Sequence, residues 1–440
     1  MQRSQKIFVF NVVLIHLAYF IGSLFFKTYL NNDSYEYINQ ANNLIQHGSF
    51  YAAQWSQLPH LPEYYSLRPP LYSIFILITM YVTNSAYVLL FFQSLLSVFS
   101  WLLLRRYILK FIPHTSEGRL SVYLILALVL NPVQLVLCNS VFSDILFQSL
   151  LTLAFFSFLE GVAGHRSKFF FYYTLFLTLA LLTKPALMYF AYLNILVAIF
   201  VFFRISRKGG ILACALIMPL VLFCVSANNY KNTGYYHYNS SKVFNVWAYN
   251  TTNFLNMKYG NDSGYVYKNE IYRLSLSQPD FKRQYEFVDS ACTHVLISNI
   301  TSYSMFHAQG VVNFFLAPGR EFVNGYMGIP DSQPKSFIKE LNVNGLNGIK
   351  SYVSDQPLAL FAINVLTTLW NAMLFVGLVV FAFSKRVPLN IKLLALIIVF
   401  YIAGVSSLAI GTARYKTAIY PILLFCNAWI IHKKPAKLNK

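Results

Sequence analysis

Two of the chain's fifteen acidic residues, Asp33 and Glu36, lie three positions apart directly after an apolar run. Carboxylates are suited to taking a proton from a hydroxyl or to holding a cation. Residues 34 to 47 carry apolar side chains at helical spacing, and Gly48 stands where a glycine commonly ends a helix. Asp33 would then cap this helix, and Glu36 would complete a capping box. A structural and a chemical interpretation of the pair both stay open at this point.

Four more ionisable residues border apolar runs: Arg68 in "LRPPLY", Asp144 in "NSVFSDILF", Lys184 in "LTKPAL" and Arg414 in "GTARYKTAIYP". Ionisable groups at the ends of membrane-spanning segments are costly to bury, and they tend to gather around a polar site. Each also has a structural alternative. Lys184 and Arg414 would snorkel to lipid headgroups, Arg68 would pair with a loop acid, and Asp144 would cap its helix.

The composition is that of a polytopic membrane protein. Of its 440 residues, 57% are hydrophobic and only 11% are charged. The formal charge of +19 comes from Lys and Arg in short clusters between apolar runs, which is typical of membrane topology and not of nucleic-acid binding. The sequence has no Walker A, GxGxxG, HExxH or GxSxG motif, and its five cysteines form no CxxC motif. Familiar soluble-enzyme sites and a disulfide framework are therefore not expected.

Ten apolar segments are predicted to span the membrane as helices. The first lacks a small-residue cleavage site and is predicted to be a retained signal anchor. Lys and Arg concentrate in the loops that lie on the same side of the membrane as the N-terminus. The only acidic residues in those loops are Glu117 and Glu160, so the positive-inside rule predicts cytoplasmic N- and C-termini. The predicted spans are 7–26, 85–104, 120–138, 143–160, 169–183, 186–203, 210–227, 357–383, 391–410 and 418–432.

The apolar segment 69–82 is too short to be another span. At 1.5 Å per residue it reaches about 21 Å, against roughly 30 Å of hydrocarbon. We predict a helix in the outer interface that begins at Pro69 and Pro70. With this assignment Asp33, Arg68, Asp144, Lys184 and Arg414 all fall on the extracytoplasmic side.

The predicted fold class is therefore an all-α polytopic membrane protein with about ten transmembrane helices, juxtamembrane helices in the first outer loop, and a small mixed extracytoplasmic domain. The mixed character rests on aromatic, β-leaning sequence near 234–250, followed by helical periods at 281–298 and 303–316. The expected organisation is an N-terminal transmembrane module over 1–227 with the outer loop 27–84, the extracytoplasmic domain over 228–356, and C-terminal helices over 357–440.

The order of these motifs resembles the GT-C superfamily of glycosyltransferases, in the branch of the protein O-mannosyltransferases and the lipid A aminoarabinose transferase. An outward Asp33, an amphipathic helix and the "RPP" at Arg68 are similar to the first outer loop of that branch. The motifs around Asp144, Lys184 and Arg414 follow in a similar order. The resemblance covers the membrane half well and the 228–356 domain poorly. It implies the GT-C-like fold, with the catalytic site in the module over 1–227.

The resemblance implies a multi-pass plasma-membrane (inner-membrane) enzyme that transfers a hexose or pentose from a polyprenyl-phosphate donor to a hydroxyl of a glycan, lipid or protein acceptor. Transfer would occur on the periplasmic or extracellular face, by inverting displacement. Asp33 would be the general base, and Asp144 and Glu36 would orient the acceptor or hold a cation. Arg68, Lys184 and Arg414 would bind the donor phosphate. Family members of this branch generally need no metal, so no cofactor is expected, although relatives that use a divalent cation leave that alternative open.

Aromatic residues of the outer domain are candidates for stacking against the acceptor: Tyr235, Tyr236 and Trp247. An ordinary aromatic core explains them equally well. Two other functions stay open at this stage. A glycan polymerase or ligase would use a diphosphate-linked oligosaccharide, and a lipid or glycan transporter would show inverted repeats and ionisable residues near the membrane midplane.

Overall fold

Every regular element among the described residues is a helix. The computed structural model describes residues 3–80, 85–204, 207–260, 262–329, 346–348, 350, 357–407 and 412–432. The predicted domain over 228–356, the end of the predicted span 391–410 and the basic C-terminus therefore lie partly outside the described residues.

The N-terminal half contains α1 to α11. Their bounds are Arg3–Phe26, Asn32–His47, Pro70–Met80, Ala86–Phe111, Glu117–Val129, Pro132–Cys138, Asp144–Gly164, Ser167–Leu181, Phe190–Arg204, Gly210–Ala215 and Ile217–Thr233. Short 3-10 turns lie at Pro62–Tyr65 and Pro185–Leu187. The C-terminal half contains α12 to α21. Their bounds are Ser241–Phe244, Thr252–Tyr259, Ser263–Ser275, Phe281–Ser298, Ile300–Leu316, Arg320–Tyr326, Leu358–Phe383, Leu389–Ser406, Ala413–Thr417 and Tyr420–His432.

The helices are those of a multi-pass membrane protein. Six of the described helical segments are long and apolar enough to cross a membrane, or seven if the bent pair α5 and α6 is one span. Each predicted span coincides with helical structure, but α8, α9 and α21 are shorter than a full span, so the count of ten is not confirmed. The segment predicted as a short interfacial helix forms α3, which has 11 residues.

The predicted span over 120–138 is bent in its middle. Its two parts, α5 and α6, meet at an angle of 69°. Pro132 is the first residue of α6 and has no amide hydrogen to continue the helix, while the residue before it, Asn131, adopts φ −127° and ψ 68°. A proline disfavours helical geometry at the residue before it, which explains the break.

The helix α7 forms the centre of the bundle. In its apolar window 89% of the residues are buried, compared with 22% for α1, which lies at the periphery. A helix that is buried on all faces needs apolar side chains all round, and α7 supplies them with Phe147, Leu150, Phe155 and Phe156, which point in four different directions around the helix. Asp144, the first residue of α7, is the charged one among its buried residues, so this carboxylate stands at one end of the most buried helix.

The expectation of β-leaning structure near 234–250 is wrong for the described residues. Residues 241–259 are helical throughout and include a π-helical stretch, Asn245–Thr251. Val243 packs with Ile271, Val288 and Cys292 in a small core of its own. Burial of one helical face against α14 and α15 therefore outweighs the β preference of the aromatic residues. The predicted helical periods at 281–298 and 303–316 are confirmed as α15 and α16.

The packing of α18 against α21 provides a test of this arrangement. A Cβ built at Gly377 of α18 would lie 1.8 Å from Oδ1 of Asn427 in α21, whose amide donates to the Leu374 carbonyl at 3.0 Å. We expect Gly377→Ala to lower stability by about 1–3 kcal/mol, because overpacking would push a bonded buried amide aside. Thermal unfolding in detergent measures the change. Gly404→Ala in α19, where an added Cβ meets no atom within 4 Å, is the matched control. Equal midpoints for the two variants would contradict the described α18–α21 contact.

Candidate active site

Six ionisable side chains from five separate parts of the sequence meet at one end of the bundle. Each lies at or beside a helix terminus, where the backbone leaves the apolar interior. We call them the ion-pair cluster: Glu36, Arg68, Asp33, Arg414, Asp144 and Lys184. These are the catalytic and phosphate-binding residues predicted from the sequence, so the structure brings all of them together.

Acids and bases alternate through the ion-pair cluster. Arg68 donates from Nε to Glu36 and from Nη2 to Oδ1 of Asp33, the second bond at 2.8 Å. Arg414 donates from Nη1 to Oδ2 of Asp33 and from Nε to Oδ2 of Asp144, both at 2.9 Å. Nζ of Lys184 donates to Oδ1 of Asp144 at 2.6 Å. Three carboxylates and three cations therefore neutralise one another, and Asp33 is shared between both arginines.

The cluster becomes more exposed from one end to the other. The side chain of Asp144 is 3% exposed and that of Asp33 is 31% exposed. Charge–charge attraction is stronger in a low-dielectric interior than in water, and an unpaired buried charge is correspondingly costly. Asp144 and its two partners therefore anchor the cluster, and Asp33 and Glu36 form its accessible part.

The predicted capping role of Asp33 and Glu36 is wrong. The N-cap of α2 is Asn31, which has the extended backbone typical of that position. The backbone amide of Asn31 donates to Oγ of Ser34 at 2.9 Å. Asp33 is already inside the first turn, and both carboxylates point to arginines. The predicted end of the helix is confirmed, because Gly48 is left-handed at φ 65° and donates to the Leu44 carbonyl.

The arginines control the ionisation of the exposed acids. Burial by itself would raise the pKa of Asp33, but Arg414 and Arg68 outweigh it and lower this pKa to about 2. For Glu36 the balance is opposite, since burial raises the pKa more than Arg68 alone can lower it. In the structure as described, Asp33 is thus a firmly ionised but weakly basic carboxylate.

Each cation of the ion-pair cluster lies over the face of an aromatic ring. The guanidinium carbon of Arg414 lies 3.9 Å from the centre of the Phe142 ring, and that of Arg68 lies 5.1 Å from the Tyr37 ring. Nζ of Lys184 is 5.4 Å from the Tyr415 ring. Such contacts are favourable because the face of an aromatic ring is electronegative. They orient each cation without using up its hydrogen-bond donors.

Three further side chains, outside the ion-pair cluster, dock α2 and α20 at the site. The hydroxyl of Ser34 donates to the Val141 carbonyl at 2.9 Å, which holds the start of α2 against the residues before α7. Lys416, which is 2% exposed, donates to the carbonyls of Phe315 and Ala317 at 3.0 Å each. Gln148 of α7 donates to the Thr417 carbonyl at 2.6 Å. These residues were missed in the sequence because their partners are backbone atoms of distant segments.

The aromatic residues predicted to bind the acceptor lie in other contacts. Tyr235 stacks on His237 with ring centres 5.0 Å apart, and Tyr236 is exposed and contacts Phe223. Trp247 stacks on Tyr272 at 5.7 Å. None of the described ring contacts joins Tyr235, Tyr236 or Trp247 to the ion-pair cluster, so their role in binding an acceptor stays a prediction.

The carboxylates of the cluster are separated by cations. Among the residues that the structure describes, no three His, Cys, Asp or Glu side chains come together as a metal site. A divalent cation at Asp33, Glu36 or Asp144 would have to displace a guanidinium or ammonium group. Whether the protein needs a metal stays a prediction.

A second polar layer lies at the opposite end of α7. Glu160, near the C-terminus of α7, pairs with Lys110, and Glu117 pairs with Arg105 at 2.8 Å. Sixteen residues separate Glu160 from Asp144, which corresponds to about 24 Å along a helix. The residues predicted to be cytoplasmic and those predicted to be extracytoplasmic are therefore at different ends of the same helix.

Comparison with solved structures finds crystal structures of ArnT from Cupriavidus metallidurans, one bound to undecaprenyl phosphate and one in the apo state. Both are 12% identical to this chain. The first aligns with 95% of this chain and 76% of that chain at a TM-score of 0.39, and the second with 96% and 78% at 0.38. No protein-family model matches the sequence. No curated protein matches it.

The exposure gradient predicts unequal effects of neutralising Asp144 and Asp33. Asp144→Asn leaves Lys184 and Arg414 without their buried partner and should destabilise the protein by about 3–5 kcal/mol. Asp33→Asn should cost about 1 kcal/mol, because each arginine keeps another carboxylate, Glu36 or Asp144.

Thermal unfolding in detergent measures both effects. Asp289→Asn, which removes the exposed pair with Lys242, controls for loss of a surface charge. Equal shifts for Asp144→Asn and Asp33→Asn would contradict the described gradient of burial.

Proposed function

We propose that this protein is an integral-membrane glycosyltransferase that moves a sugar from a polyprenyl-phosphate donor to an acceptor hydroxyl at the extracytoplasmic face. The observation that carries the proposal is the ion-pair cluster itself. Two arginines able to bind a phosphate are bonded to Asp33, a carboxylate able to act as a base, and Lys184 joins them through Asp144, at one end of a membrane bundle. The resemblance of the sequence motifs to the GT-C superfamily supports the same reaction.

The proposed extracytoplasmic location of the ion-pair cluster limits which activated sugars can reach it. No ATP or sugar nucleotide is available outside the plasma membrane, so an activated sugar must arrive through the bilayer. A long-chain lipid phosphate partitions into the outer leaflet and presents its sugar at the membrane surface. A site at the end of a helical bundle, beside the short apolar helix α3, is suited to such a substrate.

The reaction requires one base and a stabilised leaving group. Asp33 takes the proton of the acceptor hydroxyl while that oxygen forms a bond to the anomeric carbon. The bond from that carbon to the phosphate oxygen breaks, and its electron pair remains on the phosphate. The products are a glycoside of inverted configuration and a polyprenyl phosphate. Arg68 and Arg414 stabilise the charge that develops on the leaving phosphate, with Lys184 in support.

The two arginines that share Asp33 suggest how this carboxylate becomes basic enough to take the proton of the acceptor hydroxyl. Without donor, both arginines bind its carboxylate and keep its pKa near 2. When the donor phosphate accepts hydrogen bonds from Arg68 and Arg414, those contacts to Asp33 weaken and the pKa of Asp33 rises. Donor binding thus prepares the base, so an acceptor is deprotonated only when a sugar is in place. Asp144 keeps Arg414 and Lys184 in position, and Glu36 does the same for Arg68.

Substitution of Asp33 tests the assignment of the base. Asp33→Asn should reduce sugar transfer by a factor of about 10²–10⁴, the usual contribution of a general base, while the protein remains folded. Mass spectrometry of surface glycans, lipids and envelope proteins from cells with wild-type and variant protein measures the transfer. Asp289→Asn serves as the control. Normal transfer by Asp33→Asn would remove Asp33 from the mechanism.

The pH dependence tests the preparation of the base. In kinetic terms, kcat/KM for the donor reports the free enzyme, and kcat reports the enzyme with donor bound. We expect kcat/KM for the donor to stay flat down to about pH 4, since the pKa of Asp33 is about 2 in the free enzyme. The acidic limb of kcat should lie at higher pH. The difference in pH between the acidic limbs of kcat and of kcat/KM should persist in Glu36→Gln, because the titration of Asp33 causes it. If the two acidic limbs lie at the same pH, donor binding does not raise the pKa of Asp33.

A further inference from the structure

The turn that precedes Arg68 is held by side chains from a distant part of the sequence. Its backbone carbonyls at Ser66 and Leu67 both accept from Nδ2 of Asn239, at 2.8 and 2.9 Å. The Ser240 hydroxyl donates to the Glu63 carbonyl at 2.8 Å. These contacts cross more than 170 positions of the sequence, and they fix the backbone immediately before the phosphate-binding arginine.

The orientation of the Asn239 amide follows from its neighbours. Its Oδ1 accepts from the amide and the hydroxyl of Ser241, so the nitrogen must face the two carbonyls. Asn239 is 4% exposed. A buried amide whose oxygen and both donated bonds are satisfied is a rigid connection. Loss of its donor would remove the Asn239 bond to the Leu67 carbonyl and leave the Ser66 carbonyl with only the bond from the Ser240 backbone amide, at 3.2 Å.

The carbonyl of Arg68 is held from the opposite side. Gln40 of α2 donates to it at 2.8 Å, and the same amide accepts from the Ser73 hydroxyl of α3. The turn therefore lies between α2, which carries Asp33 and Glu36, and the segment that carries Asn239. Hydrogen bonds from both sides therefore constrain the backbone at Arg68 and at the two residues before it.

The segment around Asn239 is itself anchored to α11, to α15 and to the end of α8. Asn229 of α11 donates to the carbonyls of His237 and Tyr238, at 3.0 and 2.8 Å. The hydroxyl of Tyr285 in α15 donates to the Asn239 carbonyl at 3.1 Å. Tyr238 donates to the Leu181 carbonyl, three positions before Lys184, at 2.9 Å. One short segment thus touches the backbone next to two cations of the ion-pair cluster.

We infer that Asn239 is a positioning residue for Arg68: its side-chain amide fixes the turn that aims the guanidinium at the donor phosphate, and its backbone carbonyl links this turn to α15. This inference rests on the proposed function, in which Arg68 binds the phosphate. Asn239 does not touch the substrate. It acts through the backbone of Ser66 and Leu67.

A double-mutant cycle with the full-length protein in detergent tests the inference. The probe is undecaprenyl phosphate, titrated against wild type, Asn239→Ala, Arg68→Ala and the double variant, with binding followed by native mass spectrometry. We expect Arg68→Ala to raise the dissociation constant at least tenfold and Asn239→Ala to raise it about five- to tenfold. The double variant should bind no more than twofold worse than Arg68→Ala, because Asn239 can only act where Arg68 is present.

Two controls separate positioning from general damage. Asn232→Ala removes an exposed amide whose bond stays within α11, and it should leave the dissociation constant unchanged. If Asn239→Ala does not fold, Asn239→Asp replaces it in the same cycle, because this substitution preserves the shape and removes the donor. Thermal unfolding confirms that the compared proteins are folded.

Three results would overturn the inference. Additive losses in the double variant would show that Asn239 acts independently of Arg68, and unchanged binding by folded Asn239→Ala would show that the turn is positioned without it. If Arg68→Ala binds the probe as wild type does, the phosphate-binding role of Arg68 fails, and the positioning role fails with it. That last result differs from the other two, which leave the role of Arg68 intact.

Discussion

The site depends on one carboxylate that two arginines share. Asp33 accepts from Arg68, 35 positions away in the sequence, and from Arg414, 381 positions away. A buried ion pair is worth little by itself, but a buried charge without its partner is very unfavourable. The segment between α1 and α4, the central helix and the C-terminal helices must therefore come together at one point. The apolar packing of the bundle provides the stability, and the ion-pair cluster specifies how the ends of its helices are arranged.

Neutrality of the ion-pair cluster also bears on its chemistry. Because three acids balance three bases, the arginines are held in place before any ligand arrives, and no reorganisation of distant charges is needed. A phosphate would compete with Asp33 for donors that are already oriented. The contacts that join the arginines to Asp33 would thus determine how basic Asp33 becomes when a phosphate binds.

The residues of the cluster could be predicted from the sequence because ionisable side chains beside apolar runs are expensive, and all of them fell on one side of the predicted topology. The cap of α2 could not be predicted. Asn31 and Asp33 are both good capping residues, and the choice depends on Ser34, whose hydroxyl bonds to Asn31 and to Val141. The helical form of residues 241–251 was missed for a related reason, since packing against α14 and α15 overrides local preference. The role of the Asn239 amide in holding the turn was invisible, because its partners are backbone carbonyls.

A density map of the protein with a polyprenyl phosphate bound tests the proposed site most directly. We expect the phosphate to lie between the guanidinium groups of Arg68 and Arg414, and Asp33 to have lost at least one of its two arginine contacts and to face the space where the acceptor hydroxyl would bind. A phosphate bound elsewhere, or Asp33 still bonded to both arginines in the occupied site, would contradict this expectation.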